Sequence, residues 1–318
     1  MLHSTRSAME TTACPLCGAT ESHLRYMLSD ALLGLPGTFT LVECGTCGLL
    51  YQNPRPSLAA IGMYYPPEYD PFVPPPWSNP KRQQQLSHLY GLKKRWKLVE
   101  RHTSSGPGKR RVLDVGCATG VFLAAGSDRW QKVGVELTAE AAQVARSQFG
   151  LTVYQGTLEQ APLDGQQFDA ITMWDVLEHL HTPHASLQRV RELLRPDGIF
   201  VARVPSLSSW DSRLCGRYWA GLDQPRHLFI PDERTLTQML EQAGFRVVEL
   251  TCLGGTYGVL LLSWRFWLRQ HIGGGWRLRL AERLLDNLPV RIALLPFLWV
   301  LDRKLRKGSV VTVVAQPM

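Results

Sequence analysis

Residues Val112-Leu113-Asp114-Val115-Gly116-Cys117-Ala118-Thr119-Gly120 run from apolar positions through an acid into two glycines four apart. A buried parallel strand that breaks into a tight turn and then a helix has this composition, because glycine lets backbone press against a ligand. A glycine-rich turn alone is weak evidence, since dinucleotide enzymes use a related one. Their G-x-G-x-x-G spacing is absent, however: the chain has Gly116-Cys117-Ala118-Thr119-Gly120-Val121.

The order of the downstream segments sharpens the reading. Val133-Gly134-Val135-Glu136-Leu137 predicts a second strand ending in an acid, placed to grip a ribose diol. Phe168 to Asp175 predicts a fourth strand, and Leu193 to Val201 a helix end, a turn and a fifth strand. This alternation from 111 to 204 predicts an α/β chain with a doubly wound parallel sheet. Pro231 to Ala243 then predicts a helix stopped by Gly244, Phe245 to Cys252 a sixth strand, and Ser309 to Ala315 a final one.

Over roughly residues 110 to 252 and the last strand, this series resembles the class I S-adenosylmethionine (SAM)-dependent methyltransferases. The resemblance implies a Rossmann-like seven-stranded sheet, with the final strand antiparallel to the sixth and SAM at the carboxyl ends of the strands. It implies Asp114, Gly116, Cys117 and Gly120 around the methionine moiety, Glu136 on the ribose hydroxyls and Leu137 beside adenine. Ala118 stands where the family often has a middle glycine, and Thr157 where it often has an acid. Recognition of the adenine amino group then passes to backbone at Leu158 or to Glu159, and Trp174 is a candidate floor for the methionine tail.

Asp175-Val176-Leu177-Glu178-His179 carries the candidate chemistry. If this run is helical, Asp175, Glu178 and His179 share one face at i, i+3 and i+4. His227, in Arg226-His227-Leu228, adds a second imidazole from the loop after the fifth strand. The run is similar to that of two O-methyltransferase groups, those of ubiquinone biosynthesis and those acting on small-RNA 2′-hydroxyls. In both, an acid-x-x-Glu-His run and a later His can hold a divalent cation. Three roles stay open: ligands for such a cation with open positions, a histidine base for an acceptor hydroxyl, or a packed helix start. No Asn/Asp-Pro-Pro-aromatic turn follows the fourth strand and no cysteine nucleophile stands there, so transfer to oxygen leads.

Seven cysteines are an odd count, which argues against a disulfide framework. Cys14-Pro15-Leu16-Cys17-Gly18 and Cys44-Gly45-Thr46-Cys47-Gly48 are matched C-x-x-C-G knuckles, the four-sulfur set that structural Zn²⁺ takes. The expected organisation is a zinc ribbon over 11–56, a proline-rich linker over 57–80, and a methyltransferase domain over 81–318 with a helical insertion at 256–308.

The formal charge of +8 is uneven. Lys81 to Arg111 holds ten cations against Glu100, and Thr256 to Gly308 ten against Glu282, Asp286 and Asp302, so the remainder is acidic. The first segment predicts a basic helix over 81–102 with Leu86, Leu89, Tyr90, Leu92, Trp96 and Val99 for packing. In the insertion, Trp264, Trp267, Trp276 and Trp299 sit among leucines and arginines. Trp276, Leu280 and Leu284 fall on one helical face and Arg279 and Arg283 on another. That composition suits a helix in a membrane interface, against the alternative of a lid packed on the domain or in a dimer. With no signal-peptide core and no apolar run of roughly 18 residues, the expected place is the cytoplasm, peripheral to the inner membrane face.

Cys47-Gly48-Leu49-Leu50-Tyr51-Gln52-Asn53-Pro54-Arg55-Pro56 is similar to the ribbon end of bacterial methyltransferases assigned to polysaccharide or lipid-linked sugar modification. The resemblance implies a hydroxyl acceptor on a sugar, glycan or lipid-linked molecule. The rival readings are an RNA 2′-O-methyltransferase, a sugar C-methyltransferase and a non-catalytic SAM-binding scaffold, with nucleic acid less favoured than a sugar.

Overall fold

A computed structural model describes residues 8–66, 82–104, 106, 108–272, 275, 276, 279, 280, 283 and 288–318. Residues 67–81 of the proline-rich stretch lie outside the described residues, as do Leu284 and the side chains of Leu86 and Leu89. The chain forms two compact units, each built from separate stretches. One comprises Met1–Tyr64, Val204–Gln238 and Thr251–Thr312; the other comprises Tyr65–Arg203, Met239–Leu250 and Val313–Met318.

The first unit opens with β1 (Met9–Glu10), β2 (Ser22–Leu28), β3 (Phe39–Cys44), β4 (Leu50–Gln52) and β5 (Arg55–Pro56). β3 and β4 flank the second knuckle. They pair antiparallel, and β2 pairs with β3. The sheet gains a fourth strand from far along the chain, β11 (Phe229–Ile230), through Phe229↔Tyr51 and Ile230↔Leu50. Its apolar face closes on Leu41, Leu50, Trp219, Leu222 and Ile230, with Val259 packed against them. A ribbon of about 45 residues has too little core of its own, and here that core is lent by residues 219–259. The contacts therefore divide the chain elsewhere than at residue 57. Helices α5 (Trp210–Cys215), α7 (Thr256–Ile272) and α8 (Leu288–Arg303) belong to the same unit.

The second unit holds a seven-stranded sheet in the order β12-β13-β10-β9-β6-β7-β8. These are β6 (Arg110–Val115), β7 (Trp130–Glu136), β8 (Thr152–Gln155), β9 (Phe168–Trp174), β10 (Leu194–Pro205), β12 (Phe245–Thr251) and β13 (Val310–Pro317). The pairs β6–β7, β6–β9, β7–β8 and β9–β10 are parallel. Val112, Leu113, Ala170, Ile171, Ile199, Phe200 and Val201 are fully buried, as strands covered on both faces must be. The turn expected at Arg195–Gly198 is absorbed into β10 as an irregularity between Leu194 and Ile199.

Helix α1 (Arg82–His102) buries Leu92, Trp96 and Val99, while Tyr90 faces solvent. Trp96 anchors it, stacked on Phe122 at 4.7 Å and donating its Nε1–H to the Phe122 carbonyl at 2.7 Å. Helices α2 (Val121–Ala124), α3 (Ala139–Phe149), α4 (Pro183–Leu193) and α6 (Glu233–Gln242) complete the expected alternation. Pro183 opens α4, where its missing N–H costs nothing.

Candidate active site

The carboxyl ends of β6, β7 and β9 bring the predicted SAM-site residues of the second unit together. Register places Asp114 opposite both Gly134 and Thr172. The turn after β6 is left-handed three times, at Gly116 (φ 69°), Ala118 (φ 47°) and Gly120 (φ 79°). Gly116 and Gly120 are doubly required. A Cβ would meet Val176 at 2.5 Å in the first case and Leu151 at 2.6 Å in the second. Ala118 adopts the same region with a methyl group, so the departure from glycine carries local strain.

Glu136 holds this turn. Its Oε2 accepts from the Ala118 N–H at 2.8 Å and its Oε1 from the Thr138 N–H at 2.9 Å. A carboxylate has about four acceptor sites, so these two bonds leave capacity for a ribose diol. Asp114 is buried and accepts from Thr172 Oγ1 at 2.5 Å. Burial, with Glu136 adding, pushes its carboxyl up to about 7 against the opposing effects of Thr172 and Arg95. Cys117 is buried too, and burial beside Asp114 and Glu136 drives its thiol well up, so it stays neutral.

Leu158 is buried, whereas Leu137 is 61% exposed at the end of β7, an apolar surface open to a flat ligand. The Thr157 N–H is taken by Gln160 Oε1 at 3.2 Å, and Glu159 accepts from Ser186 Oγ at 2.6 Å. Trp174 ends β9, and its buried Nε1–H has no acceptor among the described residues. An unanswered buried donor is costly unless a ligand supplies the partner, which fits a bound SAM.

Sequence reasoning misses Arg95. Its guanidinium lies 4.8 Å over the Trp174 ring and 4.0 Å from Asp175. Burial, aided by Arg203, lowers it to about 9, so it remains a cation at neutral pH. The signal lay in the helix itself: with Leu92, Trp96 and Val99 buried, position 95 flanks the packed face.

The shared helical face expected for Asp175, Glu178 and His179 does not form. Asp175 N–H continues the strand ladder to the Arg203 carbonyl at 2.9 Å, at a φ of 60°, and only Leu177–His179 make a single 3₁₀ turn. The Asp175 carboxylate turns instead to Arg203, whose Nε donates at 2.8 Å. Burial opposes ionisation of Asp175, but Arg203 outweighs it and holds the carboxyl below its usual range. Glu178 is fully buried. His179 Nδ1 lies 2.9 Å from the hydroxyl of Tyr65, which falls in the stretch expected as a proline-rich linker. His227 belongs to the other unit. There its Nδ1 lies 2.8 Å from the Gly221 carbonyl. A carbonyl only accepts, so Nδ1 carries the proton and Nε2 is the basic nitrogen.

Residues 83–250, more than half of the chain, match the sequence family described as a methyltransferase domain. The chain belongs to the class I SAM-dependent methyltransferases. The methyltransferase is 27% identical over 237 residues to O-methyltransferase cnsE of Penicillium expansum, covering 65% of this chain and 83% of that one. It is 36% identical over 101 residues to the ubiquinone biosynthesis O-methyltransferase of Actinobacillus pleuropneumoniae, covering 28% of this chain and 43% of the relative. A solved SAM-dependent methyltransferase of Thermotoga maritima is similar in fold, with a TM-score of 0.44, 16% identity, and coverage of 74% of this chain and 93% of that one.

The methyltransferase's other sequence-predicted site, the four cysteines, is also assembled. All four sulfurs lie within 4.8 Å of one another, with Cys14–Cys47 and Cys17–Cys44 at 3.5 Å. That is too long for a disulfide and close to the ~3.8 Å between sulfurs bound 2.3 Å from one tetrahedral Zn²⁺. Gly18 and Gly48 close the knuckles, their N–H groups donating to Cys14 and Cys44 carbonyls at 2.9 Å. The cluster fits structural zinc. Arg234 ties it to the rest of its unit, donating to the Cys47 carbonyl at 2.6 Å.

Proposed function

We propose that the enzyme O-methylates a sugar or lipid-linked hydroxyl acceptor at the cytoplasmic face of a membrane. The observation that carries this reading is the apolar surface of α7 and α8. Trp264, Trp267, Ile292, Phe297 and Trp299 are each 45–56% exposed there, with Trp276 at 66% and Leu280 at 49% between the helices. Large exposed side chains concentrated on two helices rich in arginine are what an interfacial segment presents. No helix among the described residues is long and apolar enough to cross a membrane, so the contact proposed is peripheral.

In the SAM site, Glu136 would take the ribose hydroxyls, Leu137 and Leu158 the adenine, and Trp174 the methionine tail. Arg95 is a cation suited to the donor's carboxylate. SAM supplies an electrophilic methyl on its sulfonium. As the acceptor oxygen forms its bond to that carbon and the sulfur–carbon bond breaks, the hydroxyl proton must leave. His179, oriented by Tyr65 within the unit that holds the SAM residues, is the base we favour, with Glu178 the buried acid next to it in the chain. The O-methyltransferase names of the fungal and bacterial relatives support oxygen as the acceptor atom. A divalent cation remains the alternative to a histidine base; activity abolished by a chelator and restored by Mg²⁺ or Mn²⁺ would replace the base.

Tritiated-methyl transfer into fractionated lipids, glycans and RNA tests the acceptor class. Label in glycan or glycolipid is expected; label confined to RNA overturns the reading. Replacing Trp264, Trp267 and Trp299 by serine is expected to abolish sedimentation with anionic liposomes while leaving SAM binding intact. Equal pelleting of both proteins removes the membrane contact.

A further inference from the structure

We propose that the ribbon-containing unit carries a second ligand site, a cleft that binds a phosphorylated sugar. The inference rests on the sugar-acceptor reading for its biological sense, but its chemistry comes from the cleft alone. The cleft has a volume of about 340 Å³ and is bounded by the loop after β2, by residues 217–224 and by α7. That volume lies within the range of ~300–1,000 Å³ usual for small-molecule sites.

Its wall has three chemistries. Arg217 and Arg269 come from different segments and supply two guanidinium groups, the side chain best matched to phosphate oxygens. Trp219, Leu222 and Phe266 form an apolar wall; Trp219 is locked by its Nε1–H donating to Asp211 at 2.8 Å. Gln224 supplies the third element. It is 3% exposed, and its Nε2 donates to the Leu222 carbonyl at 2.8 Å and the His227 carbonyl at 2.9 Å. Both amide hydrogens are thereby used, which fixes the orientation of the amide. Gln224 is among the residues lining the cleft, and its Oε1 is buried with no donor among the described residues. A buried acceptor of this kind calls for a ligand O–H.

Two cations, a fixed acceptor and an apolar wall describe an anion that also carries hydroxyls and a carbon face, which is a sugar phosphate. The one acid on the wall, Asp223, is turned into fully buried Arg226, which donates to it at 2.7 Å and to Asp30 at 2.7 Å. Arg226 shares itself between two acids, so that cluster keeps one negative charge, while Arg217 and Arg269 place two guanidinium groups on the wall. From the rim, Tyr218 meets His271 at 5.4 Å, and His271 stacks on Trp267 at 4.5 Å. This aromatic ladder runs from the cleft to the exposed face of α7, a route for an apolar chain attached to the phosphate.

Calorimetry on the full chain, without SAM, tests the site with glucose, galactose and mannose 1-phosphates, the corresponding free sugars and inorganic phosphate. At least one sugar phosphate is expected to bind tenfold or more tightly than its sugar or phosphate alone. The Arg217→Ala/Arg269→Ala variant, altered only at exposed positions, is expected to lose at least thirtyfold. A farnesyl ester of the best sugar phosphate then separates the sources: tighter binding assigns a lipid-linked ligand, equal binding a free sugar phosphate. No binding by any sugar phosphate, or binding indifferent to the two arginines, overturns the proposal. Methyl label found in RNA with this binding intact would sink the acceptor reading alone, so the two failures are distinguishable.

Discussion

The SAM crevice and the ribbon unit are built on opposite plans. Every crevice residue from Asp114 to Trp174 comes in chain order along consecutive strand ends. The ribbon unit collects three distant stretches, joined by a strand pairing 180 residues apart, by Arg226 to Asp30 and by Arg234 to Cys47. A strand-end crevice comes with its topology and needs only short-range turns. A ribbon has to find apolar partners elsewhere and depends on metal to hold its loops. The two units should therefore fail separately.

Zinc removal is the largest expected effect. Binding of a structural Zn²⁺ contributes roughly 10–16 kcal/mol to the folding of small zinc modules. If the four thiolates hold zinc, native mass spectrometry of the wild type should read one equivalent, and Cys14→Ser or Cys47→Ser should lose it and red-shift the emission of buried Trp219. SAM affinity should change by less than about threefold, or ~0.7 kcal/mol. A proportional fall in SAM binding would show that the units are one energetic body.

Within the crevice, Asp114 sets a pH dependence. Its folded carboxyl sits at about 7 against an ordinary value of 3.8, so the native state binds the extra proton between those values. Stability from this group is complete below about pH 4 and is lost as pH rises through 7. Asp114→Asn keeps an acceptor for Thr172 and removes the titration. Compared with wild type in urea melts without SAM, it should be similar near pH 4 and more stable at pH 8, by on the order of 2–4 kcal/mol. Parallel curves would mean that Asp114 is ionised in the native state.

Glu136→Ala should weaken SAM binding by roughly 1.5–3 kcal/mol, the worth of hydrogen bonds to a charged group. It also strips the Ala118 and Thr138 amides of their acceptor, so Glu136→Gln is the better control, keeping one acceptor oxygen. Unchanged calorimetric affinity in both would remove Glu136 from the ribose.

Legibility in the sequence divides along the same line. Gly116, Gly120, Glu136 and the paired knuckles could be read because each stands in a short run whose residue types and spacing carry the signal, whatever the distance to its partner. Arg95, Arg203 and Tyr65 could not, since only partners 80, 28 and 114 residues away give them their roles. The helical face drawn through Asp175, Glu178 and His179 failed for a related reason. Spacing of i, i+3 and i+4 presupposes a helix, and at Asp175 the tertiary ladder to Arg203 prevailed over local periodicity. The strand β11 was invisible because two residues carry no periodic signal; only the unmet apolar face of a small ribbon hinted that a partner was needed.

Ala118 offers the finest discrimination. It is held at φ 47° by its own N–H on Glu136, between two left-handed glycines. A left-handed alanine costs about 1 kcal/mol that glycine would not. Glycine, though, gives the unfolded chain more freedom, which offsets part of that relief. If the turn is preorganised by Glu136, Ala118→Gly should stabilise the protein by at most ~1 kcal/mol and leave SAM affinity within twofold. If the methyl is what rigidifies the turn, the same substitution should weaken SAM binding while stability rises. Measuring both on one variant separates strain tolerated by the fold from strain used by the site.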